Sequence, residues 1–173
     1  MKAQDHTRAA RDALTELVLE VFRLNGELLA AGDALVGDIG LTSARWQVLG
    51  AIALSPVPLP VAHLARNMGL TRQSVQRLVD EMRDDGLVTD APNQHHRRAK
   101  LILLTGKGEI AFRTAMARQE RWADGLAAGL TSEAILAANA TLRALRGRLT
   151  REDVAGKGPR DPVHMEGTDD EIQ

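Results

Sequence analysis

Apolar residues in the first part of the chain recur at helical intervals. Leu14, Val18, Val21, Asn25 and Leu28 alternate spacings of four and three, and Leu17 and Leu24 widen the stripe, so residues 8–31 read as one amphipathic helix. Gly32 is the expected stop, followed by a glycine-punctuated connector at 33–41, DALVGDIGL. Thr42 or Ser43 then caps a short helix, SARWQVLGAIAL, with Trp46, Leu49 and Ile52 turned inward. SPVPLP at 55–60 breaks it, and Pro60 suits the first position of the next helix, VAHLARNM, which ends at Gly69. A further helix runs from Thr71 to about Asp85 and closes at Gly86. LVTD (87–90) and AKLILLT (99–105) have strand character and flank the polar stretch APNQHHRR, which makes a β-hairpin with a long tip. Residues 107–128 form another helix, Gly129 breaks it, and Thr131 caps the last one. In that last helix Ile135, Ala138, Leu142, Leu145 and Leu149 repeat with heptad spacing.

Short helix, helix, glycine turn, helix and hairpin make up a winged helix-turn-helix. In the turn NMGLT, glycine supplies the bend and the following Thr71 caps the next helix. Leu64, Ala65, Leu70, Val75, Leu78 and Val79 are the expected small core between the two helices. The expected fold is therefore mainly α with a small β-hairpin wing. One domain spans 1–150, with the winged helix-turn-helix at about 42–106 and flanking helices at about 8–31 and 107–149. Residues 151–173 carry three Lys/Arg against seven Asp/Glu and little to bury, the composition of a disordered acidic tail.

Composition narrows the class. The 173 residues suffice for one sizeable core. With 44% hydrophobic residues, only 2% aromatics and no Tyr, that core must rest on Leu, Ile, Val and Ala, which favours helices. The absence of cysteine excludes disulfides, thiolate zinc sites and thiol redox chemistry. No apolar run has membrane-span length and MKAQDHTRAARDAL lacks the apolar core of a signal peptide, so a soluble cytoplasmic protein is expected.

Charge is where function enters. The chain as a whole is at −1, yet residues 60–108 hold eight Lys/Arg against five Asp/Glu, a local +3. Thr71, Arg72, Gln73, Ser74, Gln76 and Arg77 crowd the first two turns of one helix, and acids begin only at Asp80. Arg matches guanine and Gln matches adenine in two-pronged fashion, while hydroxyls and helix-start amides hold phosphate. The bland alternative is a solvated basic helix face. The hairpin decides against it, because His96, Arg97, Arg98 and Lys100 place a second cationic feature at the other end of the motif. Scarce aromatics argue against single-strand binding, which relies on stacking. His95 and His96 lack a third ligand at useful spacing, so no metal is expected; His63 reads as a packing or surface residue. No phosphate loop, nucleophile elbow or H-E-x-x-H is present, so neither catalysis nor a cofactor is expected. Trp46 is either core packing or a pocket wall, and Asn25 and Asn139 either set register across an interface or are exposed.

The stretches LTSARWQVLGAI, LARNMGLTRQSVQRLVDEMRDDGLV and PNQHHRRAKLILLTGKGE resemble the MarR family of bacterial transcriptional regulators, over about residues 8–149. The resemblance implies a homodimer whose terminal helices interlock and whose two winged domains grip a pseudo-palindromic duplex operator. It implies repression relieved by a small ligand, often phenolic or otherwise toxic. Thr71 to Arg77 would read the groove and Arg97 would enter the minor groove. Leu28, Trp46 and Met116 would line the pocket where the terminal helices meet the winged domain. The chain departs from the pattern at His95, where the family often has an Asp that orients the wing arginine: either Asp90 substitutes or the wing is looser. The expectation is a sequence-specific, ligand-released DNA-binding repressor with no membrane partner. The alternative is a winged-helix module for protein–protein assembly.

Overall fold

The computed structural model describes residues 2–94, 96 and 98–155, with side chains from Thr7 to Thr150 except those of His95 and Arg97. The remainder of the expected acidic tail, 156–173, lies outside the described residues. In order, the elements are α1 (Lys2–Val36), a 3-10 turn (Gly37–Ile39), α2 (Ser43–Ala53), β1 (Leu59–Pro60), α3 (Val61–Met68) and α4 (Arg72–Asp84). They continue with β2 (Val88–Ala91), β3 (Leu101–Leu104), α5 (Gly106–Ala127) and α6 (Ser132–Ala155). The mainly helical fold with a small wing matches the expectation from sequence.

Gly32 does not stop α1, and most of the expected connector at 33–41 is helical. The glycine is there for close approach: a Cβ on Gly32 would lie 2.4 Å from Ser43 Oγ. The reversal comes later, at Gly40, whose φ of 74° is the left-handed conformation that glycine adopts without penalty. Thr42, not Ser43, is the cap of α2; its Oγ1 accepts the Arg45 N–H at 3.2 Å. The Ser43 N–H donates instead to Asp33 Oδ1 at 2.5 Å, which fastens the end of α1 to the start of α2. Leu49 is fully buried as expected, with Val48 beside it; Trp46 and Ile52 are half-buried.

The sheet order is β1-β3-β2, all antiparallel. β1 was illegible as a strand because SPVPLP reads only as a breaker. Pro60 is not the first helical residue: its backbone is extended (φ −76°, ψ 159°) and it pairs with Leu101, while Leu59 pairs with Ile102. An edge strand tolerates proline because its outer N–H has no ladder partner. In the turn between α3 and α4, Gly69 adopts φ 67° and the Leu70 N–H donates to Ala65 O at 2.9 Å, closing α3. Leu64, Ala65, Val75 and Val79 are buried and Leu78 is half-buried, as expected. Leu70 is not core: it follows the left-handed glycine and is 45% exposed. Met82 and Ile102 complete the core by packing α4 and the sheet into the same apolar cluster, each such side chain contributing about 1.5–3 kcal/mol.

The chain divides into two compact units, ending and beginning at Gly125 and Leu126. In the first, the α1 stripe is left open: Leu14, Val18, Val21, Leu24 and Leu28 are all exposed, at 37–53%. In the second, Ile135, Leu142 and Leu149 of α6 are exposed as well and Leu145 is half-buried. Asn25 and Asn139 are exposed in the single chain. Among the described residues no helix is long and apolar enough to cross a membrane.

Thr105 joins the sheet to α5. Its Oγ1 donates to Gly86 O at 2.7 Å and accepts the Gly108 N–H at 3.1 Å. Gly108 must pass close to the hairpin, since a Cβ there would lie 2.0 Å from Leu87 O. Gly108→Ala is therefore expected to cost about 1–3 kcal/mol in urea unfolding. Gly106→Ala, with open space around the new Cβ, should be close to neutral. Equal losses at the two glycines would refute this role for the joint.

Candidate nucleic-acid interface and adjoining cavity

α4 is capped by Thr71, whose Oγ1 accepts the Ser74 N–H at 3.1 Å and lies 2.8 Å from Ser74 Oγ. Thr71, Arg72, Gln73, Ser74 and Arg77 all stand exposed on the first turns, while Val75 and Val79 point into the core. Gln76 differs from its expected free state. It is half-buried and its amide donates to Asp80 Oδ1 at 2.9 Å. Arg77 leans along the helix toward Glu81, with Nε 3.7 Å from its carboxylate.

The wing is bound to α4 by a chain of charges. Arg83 donates from Nη1 to Asp80 at 2.6 Å and from Nη2 to Asp90 Oδ1 at 2.8 Å. Asp90 Oδ2 also accepts from Lys100 Nζ at 2.9 Å. Asp90 sits on β2 directly opposite Ile102 on β3, so one carboxylate ties α4 to both arms of the hairpin. Lys100, expected as a DNA contact, thus has its ammonium in this pair. In the loop, Asn93 braces the turn: its Nδ2 donates to Ala99 O at 2.9 Å and its Oδ1 accepts the His96 N–H at 3.2 Å. His96 and Arg98 are exposed. His95 and Arg97 lie outside the described residues.

α4 and the wing border a cleft of about 270 Å³ that brings together Arg72, Gln76, Arg98 and Lys100 with Asp80, Arg83 and Asp90. Sequence reasoning missed Asp80 and Arg83. Their spacing of three, with an acid in the following strand, was the available signal. Two further contacts hold the far end of α4. Arg45 on α2 donates to Asp85 at 2.7 Å and to Glu81 at 3.5 Å, and Lys107 Nζ donates to Asp85 O at 2.7 Å. These acids are all engaged in holding the fold, which leaves the first two turns as the cationic face.

A second hollow, of about 380 Å³, lies between α1, α2 and α5. Leu28, Trp46 and Met116 all line it, together with Phe112, Trp122 and the polar Ser43, Gln47 and Gln119. Phe112, Met116, Gln119 and Trp122 are one stripe of α5, at spacings of four and three. That stripe was readable in the sequence once Met116 was placed. Beside it Arg118 donates to Leu35 O at 2.8 Å and pairs with Asp38. That pair holds α5 to the end of α1. Among the described residues no group of three or more potential metal ligands occurs.

Two helices joined by a glycine turn, with a three-stranded hairpin sheet beside the second, define a winged helix-turn-helix protein. Residues 39–99 match the family model described as the MarR family. An uncharacterised protein of Mycobacterium tuberculosis is 37% identical over 97 residues, covering 56% of this chain and 66% of that protein. The transcriptional activatory protein BadR of Rhodopseudomonas palustris is 33% identical over 108 residues, covering 59% of this chain and 62% of BadR. The chain thus spans somewhat less than two thirds of the length of these curated relatives. Among solved structures, the M. tuberculosis transcriptional regulator MOSR in complex with DNA matches with a TM-score of 0.65 at 25% identity, covering 78% of this chain and 97% of MOSR. CouR from Rhodococcus jostii RHA1 bound to p-coumaroyl-CoA matches with a TM-score of 0.67 at 25% identity, covering 75% and 90%.

The charge cluster sets an acid limit on the wing. The Arg83 guanidinium, helped by the Gln76 amide, holds the Asp80 carboxyl below its ordinary range; Lys100 first and Arg83 second do the same for Asp90. Groups with lowered folded values contribute stability that is complete above the pKa of free aspartate, about 3.9, and is lost as pH falls through the folded values. The urea midpoint is expected to drop below about pH 4, and Asp90→Asn should remove part of that drop. An acid limb identical in Asp90→Asn and the parent chain would contradict this role.

Proposed function

We propose that this chain is a sequence-specific duplex-DNA-binding transcriptional regulator that works as a homodimer on a pseudo-palindromic operator. The observation that carries the reading is the cleft between α4 and the wing, where Arg72, Gln76, Arg98 and Lys100 converge and where Asp80 and Asp90 are each paired with Arg83. Thr71, Arg72, Gln73, Ser74 and Arg77 on α4 would read and grip the major groove, with His96, Arg97 and Arg98 of the wing on the backbone and minor groove. MOSR, similar in fold, has been solved with DNA, which supports the same mode here. The open apolar stripes of α1 and α6 support the dimer, since a soluble monomer rarely leaves so much apolar surface uncovered.

The hollow between α1, α2 and α5 is assigned to a small-molecule effector, with Leu28, Trp46 and Met116 in its wall. Effector binding would release the operator, making the protein a cytoplasmic repressor. The description of BadR as an activatory protein gives the opposite sign a specific basis, and the sign of regulation follows from where the operator lies relative to a promoter.

The test is selection of duplexes from a random pool, followed by competition between the selected and a scrambled duplex at fixed salt. Arg72→Ala and Gln73→Ala should each cost about 1–3 kcal/mol on the selected duplex and much less on the scrambled one. Arg98→Ala should weaken both alike and flatten the salt dependence by about one unit for each phosphate it no longer neutralises. Sedimentation of the complex should give two chains per duplex. Failure to enrich any sequence, with affinity indifferent to salt, would leave the winged helix as a protein-assembly module instead.

A further inference from the structure

We propose that the hollow between α1, α2 and α5 accepts an uncharged planar aromatic compound and rejects the carboxylate of the same shape. This inference rests on the reading of that hollow as the effector site. Its volume, about 380 Å³, falls within the range of small-molecule sites. No residue lining it is ionisable: its polar contributions come from Ser43, Gln47 and Gln119, and its flat apolar walls from Trp46, Trp122 and Phe112. A hydroxyl and two amides can both donate and accept, which suits an amide, phenol or ketone on a ring. A carboxylate entering the same space would give up part of its hydration and find no cation among the lining residues in return.

The surroundings sharpen the exclusion. Two cations on its own elements are occupied elsewhere. Arg45 of α2 turns to Asp85 and Glu81 on α4, and Arg118 of α5 turns to Asp38 and the Leu35 carbonyl. Arg113 and Arg121 are not among the lining residues, although each borders an adjoining hollow that shares Phe112, Met116 and Gln119, or Trp122, with it. The last 13 residues of α1, 24–36, contain Glu27 and Asp33 and no Lys or Arg. One feature that would attract an anion is the start of α2, where free N–H groups concentrate positive charge. That position is already filled: the Ser43 N–H donates to the Asp33 carboxylate at 2.5 Å and the Arg45 N–H to Thr42 Oγ1 at 3.2 Å. An anionic ligand at Ser43 would therefore meet a carboxylate of the protein rather than an open helix end.

Benzamide and benzoate test this directly, because they share a ring and a shape and differ in charge at about pH 7.5. The chain has two tryptophans and both line the hollow, so intrinsic fluorescence of the full-length protein reports occupancy. Benzamide is expected to bind at least about tenfold more tightly than benzoate. Gln119→Arg should reverse that order by supplying the missing cation; if this variant does not fold, the comparison in the parent chain decides alone. Benzoate binding as tightly as benzamide, or neither compound changing the fluorescence up to its solubility, overturns the proposal. Repeating the titration on protein bound to a fluorescein-labelled selected duplex separates the two readings. Benzamide preferred without DNA release upholds the charge selectivity and removes the effector role. Benzoate preferred with DNA release does the reverse.

Discussion

One carboxylate, that of Asp90, holds the candidate interface in shape. The fold supplies α4 and the hairpin separately, each anchored to the core by Val75, Val79, Met82 and Ile102. Their relative setting at the exposed end is fixed by Asp90, which accepts from Arg83 on α4 and from Lys100 at the base of the wing. Arg83 in turn pairs with Asp80, and Asp80 holds the Gln76 amide. The order of charge along α4 follows from this. Asp80, Glu81 and Asp85 at the second half are paired with arginines, which leaves the first turns cationic. Networks of this kind act as units, so removing any one member disturbs the others.

A second constraint links the two hollows. α2 presents Ser43, Trp46 and Gln47 to the apolar one, and Arg45, between them, reaches Asp85 and Glu81 on α4. α1 is fastened to the start of α2 by Asp33 and to α5 by the carbonyl of Leu35. One wall of the hollow and the seat of α4 are therefore the same short helix. A compound that filled the hollow would press on a helix that α4 is tied to.

Much of this was legible in the chain because it rests on local rules. The NMGLT turn, the Thr71 cap and the polar first turns of α4 are written in neighbouring residues. The resemblance also brought together Leu28, Trp46 and Met116, which the structure places around one cavity. What local rules missed depends on groups distant in sequence. Gly32 reads as a stop, yet it serves the approach of Ser43, and Pro60 reads as a helix start, yet pairing with Leu101 makes it an edge strand. Leu70 has the right residue type and spacing for the core, but the left-handed Gly69 before it turns the chain outward. Asp90 is one alternative for orienting Arg97 in place of the usual wing Asp, and Arg97 lies outside the described residues. The partners of Asp90 among the described residues are Arg83 and Lys100, neither of which the sequence pattern singled out for that task.

The dependence on Asp90 is tested most directly by a double-mutant cycle on Arg83→Met and Asp90→Asn, read as affinity for a duplex selected from a random pool. If the two residues set the wing against α4 together, each single substitution weakens binding. The double substitution should then be scarcely worse than the more damaging single one, giving a coupling of about 1 kcal/mol or more. Losses that simply add would contradict a shared role and return each residue to an independent contribution.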